Sequence, residues 1–179
     1  MAEPTNPQRK LAQALGLAIA APVALDKVAE AVEDEELREV LDRMRHEATE
    51  ARDRCLEAAA GWGAESREEI VSLSHDFSDK AGETVRAWIR PATGELERFE
   101  VLAMLETGEV AAWQSLALVG ARVPALVRLA EWGLPVQERH LVDALQAARK
   151  LAVLRDAAEA TAPFRRESSI TRERSAHGR

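Results

Sequence analysis

The sequence predicts an all-α protein, a bundle of four long helices with a long connection at its middle. Three observations carry this. Ala, Leu, Glu and Arg, which lose little on entering a helix, are frequent, while Tyr is absent and Gly and Pro number only 9 and 7. Apolar side chains recur at spacings of three and four along four separate stretches. Between the second and third stretches, residues 64 to 93 lack a long period of that kind, and about thirty residues suits a crossover along a bundle better than a turn.

Residues 1–7, MAEPTNP, read as a loose lead-in. A first helix is expected over about 8–32, with Leu11, Leu15, Ala18, Ile19, Leu25, Ala29 and Val32 as its stripe and a kink near Pro22. EDEE at 33–36 supplies a turn and an acidic first turn. A second helix follows over about 35–60, its stripe running from Leu37 through Leu41, Met44 and Ala51 to Ala58, and GWG ends it at 61–63. The short link makes these two an antiparallel hairpin. Within the crossover, SREEIVSLSHDF suggests only a short helix, opened by a capping-box pattern from Ser66 to Glu69. A third long helix is expected over about 95–119, with Phe99, Leu102, Ala103, Val110, Trp113 and Ala117 inward. A fourth runs from about 124 to 160, interrupted at Gly133-Leu134-Pro135, with Leu126, Ala130, Leu141, Ala144, Leu145 and Ala148 inward. The bundle is thus assigned to residues 8–162. The tail at 163–179 has no apolar period; its five Arg and two Glu give it +3, and it reads as disordered.

A net charge of -7 argues against nucleic-acid binding through the whole surface, leaving the basic tail as the one segment suited to it. A single cysteine, Cys55, excludes an intramolecular disulfide and any multi-thiolate metal site, and its stripe position makes it a core residue. The chain reads as cytoplasmic. RKLAQALGLAIAAPVAL at 9–25 has the basic start and apolar run of a secretion signal. Glu3 before it, Gln13 within it and the helical period beyond it favour a core helix instead, too short and interrupted to span a bilayer.

The informative polar residues interrupt the apolar stripes. Glu106 falls near the centre of the third helix's stripe, among Leu102, Ala103, Val110 and Trp113, where an unpaired carboxylate is costly. It needs a metal, a cation, a donor network or a proton. Glu109 lies one turn on, at the stripe's edge. On the fourth helix Gln137 falls near the stripe's centre and His140 on its border, and on the second helix Glu47 lies at the margin. His46 points away from its stripe and is read as exposed. Trp113 is expected in the core, while Trp132, off its stripe, suits an interface. No nucleophile–base set, phosphate-cradling loop or dinucleotide fingerprint is present.

ETGEVAAWQSL at 106–116 resembles the third helix of the ferritin-like superfamily, and DEELREVLDRMRHEATEARDRCLEAA resembles the second helix of its small bacterial stress-associated members. The resemblance covers about residues 8–160 and implies an antiparallel four-helix bundle with a long crossover between its second and third helices. It also implies a di-iron site with one Glu each from the first and third helices and Glu-x-x-His from the second and fourth. Here Ala18 stands at the first-helix Glu, Met44 and Glu47 at the second-helix pair, Glu106 at the third-helix Glu, Gln137 at the fourth-helix Glu and His140 at its His. The resemblance therefore implies a degenerate site of Glu47, Glu106, Gln137 and His140. Two functions are compatible with it. One is a non-catalytic bundle acting by association, for example as a homodimer, with Glu106 hydrogen-bonded to Gln137 and no cofactor. The other is a weak single-metal protein holding iron or manganese, with a redox or stress role.

Overall fold

A computed structural model describes residues 3–161 of the 179. The described residues are helical, without strands, in five helices: α1 (Asn6–Ala29), α2 (Glu35–Ala60), α3 (Ala64–Trp88), α4 (Glu95–Val119) and α5 (Pro124–Thr161). The all-α expectation holds. The expected short helix in the crossover does not: 64–88 is one helix of 25 residues. The expected cap at Ser66 is bypassed, because the helix begins two residues earlier behind Gly63, whose φ of +82° few other residues adopt. The 163–179 tail lies outside the described residues.

Helix starts follow local chemistry. The Asp34 carboxylate accepts from Glu36 N at 2.9 Å and Leu37 N at 3.3 Å, opening α2. Gln8 Oε1 accepts from Thr5 N at 2.8 Å at the head of α1, and Pro7 sits in the first turn, where no donor is missed. Neither Pro22 nor Pro135 ends its helix: α1 and α5 run through them, so the interruption expected at 133–135 is absent.

Helix α1 packs against α2, α3 and α4, and α5 packs against α4 and α2. With neighbours on three sides, α1 is buried over much of its circumference, at Leu11, Ala12, Ala14, Leu15, Ala18, Ala21, Ala24, Leu25 and Val28. Small alanines let neighbouring backbones come near. At Gly16 a β-carbon would run into the Ser74 carbonyl oxygen and lie 2.6 Å from Phe77 Cβ, both on α3. Helix α1 is apolar and long enough to cross a membrane (mean hydropathy 1.4), contrary to the expectation that the run is too short and interrupted. Of that stretch 61% is buried inside the protein.

Two apolar clusters fill the interior. One gathers Leu25, Val28, Leu37, Leu41, Met44, Phe99 and Leu102; the other gathers Leu11, Leu15, Cys55, Ile70, Trp113, Leu116 and Leu126. Trp113 lies so close to α5 that any side chain at Gly133 would enter its ring. Trp132 is not a free surface residue: it is half-buried, edge-on to Trp113 at 6.3 Å, with the Arg54 guanidinium 4.4 Å from its ring centre. Leu145, expected inward, is 40% exposed. Its position falls just beyond the contact edge marked by buried Ala144 and Ala147.

Candidate functional site

Of the polar residues singled out by their stripe positions, Glu47, Glu106 and His140 come together between α2, α4 and α5. Glu106, Gln137 and His140 are buried, and Glu47 retains 18% of its side-chain exposure. Gln137 and His140 sit one turn apart on α5, a spacing that stacks them on one face. Glu106 and Glu109 do the same on α4, and Glu109 is also buried. His46 is exposed, Cys55 is fully buried, and Ala18 and Met44 are buried apolar residues.

The imidazole of His140 stands between two carboxylates. Its Nε2 lies 2.7 Å from Glu47 Oε2, and its Nδ1 lies 3.7 Å from Glu106 Oε2, too far for a hydrogen bond. Glu47 in turn accepts from Arg139 at 2.7 Å, at the protein surface. The groups thus form a row: Arg139, Glu47, His140, Glu106, Glu109. Arg139 and Glu109 were not assigned to the site from the sequence. Glu109 was legible, being three residues after Glu106 on the same helix. Arg139 was not, because it reaches Glu47 from the outer side of α5.

Charge is unevenly distributed along this row. Burial opposes ionisation of Glu47, but hydrogen bonds from Arg139 and His140 outweigh it and hold its carboxyl below the usual range. Burial, which favours the neutral ring, holds the His140 imidazole below its ordinary value although Glu47 pulls the other way. Burial raises Glu106 well above the usual range, with the Glu109 charge adding to the shift, and burial alone pushes Glu109 up to about 7. With Glu47 ionised, neutral His140 donates through Nε2, leaving Nδ1 as an acceptor facing Glu106. A protonated Glu106 is a donor suited to that acceptor.

Glu106 Oε2 and Gln137 Oε1 are buried without a hydrogen-bond partner, and the hydrogen bond expected between these two side chains is not formed. Glu106 and Glu109 also line a cavity of about 30 Å³ walled by Ala21, Ala24, Ala81, Val85 and Leu102. That is room for a single water. Protonation of Glu106 turns an orphan acceptor into a donor and removes a charge from an apolar enclosure.

As a metal site, this donor set fits poorly. His140 spends one nitrogen on Glu47 and turns the other to Glu106, so the two carboxylates lie on opposite sides of the ring and cannot share one ion with it. Among the described residues, no group of three or more His, Cys, Asp or Glu side chains is placed to hold a metal ion. A scan against protein-family models, a search of curated proteins and a search of solved structures each found no match to this chain.

Proposed function

We propose that this chain is a ferritin-like protein whose di-iron site is largely lost: a non-catalytic four-helix bundle that acts by association, as a homodimer in the cytoplasm. The packing of α1 on α2 and α4, and of α5 on α4 and α2, supports reading these four helices as the bundle, with α3 as its long crossover. The observation that carries the functional reading is the orientation of His140, whose two nitrogens face two different carboxylates. A metal centre gathers donors around one point. Here the donors are strung out in a row across three helices, hydrogen-bonded from Arg139 through Glu47 to His140 and open between His140 and Glu106.

One observation favours a second reading, a weakly held iron or manganese ion. Glu106 Oε2 and Gln137 Oε1 are both acceptors without donors, and His140 Nδ1 faces the first of them. Elemental analysis of protein purified without added metal separates the two. Under the proposed reading, iron and manganese fall far below one atom per chain, and Glu106→Gln changes stability alone. Near-stoichiometric metal that disappears in Glu106→Ala would replace the proposed reading with the second.

A further inference from the structure

Helix α4 has its polarity inside out. From Val101 to its end at Val119 its only charged residues are Glu106 and Glu109, and both are buried. Its outward face over the same span is uncharged: Met104, Thr107, Gly108, Ala111, Gln114 and Leu118 are exposed. Met104 is 45% exposed and Leu118 80%. A surface helix ordinarily carries its charges outward. On a chain of net charge -7, an uncharged helix face is where two copies meet with least repulsion.

The sequence of this face is also complementary to itself. Reversed about Ala111, Met104 falls opposite Leu118, Gly108 opposite Gln114, and Glu100 opposite Arg122 in the turn after α4. Glu100 and Arg122 are both exposed, and neither makes an ion pair within the described residues. An antiparallel pairing supplies each with its opposite charge twice over, as a two-fold axis requires. Small residues at the centre permit the close approach: a β-carbon at Gly108 would meet nothing within 4 Å.

We infer that two copies of this chain associate through α4, antiparallel, with the two-fold axis at Ala111. This rests on the proposed association and names its surface. The uncharged stripe is only about 20 Å long, so the contact buries less than the ~800 Å² per partner of a standard interface and gives a concentration-dependent dimer.

Sedimentation velocity on the full chain, from about 1 to about 200 µM, reads the equilibrium. Wild type is expected to pass from monomer to dimer, and Leu118→Glu to shift the midpoint upward at least ~10-fold. Glu100→Arg is expected to weaken the dimer, and adding Arg122→Glu to restore it, an outcome that misfolding cannot mimic. Under mild oxidation Ala111→Cys should cross-link to itself, whereas Met104→Cys, facing Leu118 of the other copy, should not. A dimer untouched by Leu118→Glu and uncrosslinked at 111 overturns this surface while leaving self-association standing. A chain that stays monomeric throughout overturns both, as does one that is monomeric but binds phosphatidylcholine vesicles through the same face.

Discussion

Glu109 shows how far burial can move one group. Its carboxyl is raised to about 7 by desolvation, so between its ordinary value and that point the folded protein holds a proton that the unfolded chain has released. Stability from this site is complete below about pH 4.5 and falls as pH rises toward 7. Glu109→Gln, which cannot ionise, should therefore stabilise the protein at pH 8 by roughly 2 kcal/mol and change little at pH 4. Urea denaturation at the two pH values checks this; equal effects at both would refute it. His140 works in the opposite sense. Its depressed value means the folded protein resists protonation, so its contribution is full above the unfolded value near 6.5 and is lost as pH falls below it. Arg98, like Arg139, has no signal in the sequence that marks its role. It is 4% exposed and donates to the carbonyls of Lys27 and Thr93, the latter at 2.9 Å, closing the end of α1 against the loop before α4. Arg98→Met should cost about 3 kcal/mol in the same assay, since those carbonyls lose charge-assisted donors.

At the scale of elements, α4 and α5 are held by shape. Gly133 lies against the Trp113 ring with no room for a side chain. Gly133→Ala is expected to destabilise by about 2 kcal/mol, although alanine favours a helix, because overpacking outweighs propensity here. A thermal midpoint unchanged or raised would contradict this. The α2–α5 contact depends more on polar links. Lys150 of α5 reaches Asp34 at 2.6 Å and Glu36 at 3.0 Å, Arg43 meets Asp143 at 2.6 Å, and His140 meets Glu47. The first two are exposed pairs that orient the helices more than they stabilise them. The His140–Glu47 contact, nearly out of water, matters more.

For the whole molecule, the arrangement of helices implies a gradient of stability. Helix α1 touches three others and is buried over much of its length, whereas α3 packs chiefly on α1 and buries only Ile70, Ser74 and Val85. Local opening should therefore release α3 before α1. Amide hydrogen exchange is expected to show weaker protection across 64–88 than across 6–29. Equal protection would mean that α3 is as integral to the core as α1.

The sequence alone determined that this chain is helical, where α2 and α4 run, and that Glu106, Gln137 and His140 face inward. Helical period and local capping are written in neighbouring residues, and a charge at the centre of an apolar stripe has only one direction to point. Tertiary structure decided the rest. It drew 64–88 out into a full helix by giving a weakly patterned stretch a surface on α1. It carried α5 unbroken through Pro135, and it turned the two nitrogens of His140 toward different carboxylates. Each of these depends on which helix lies beside which, and such contacts join residues more than a hundred positions apart in sequence, beyond the reach of any local pattern.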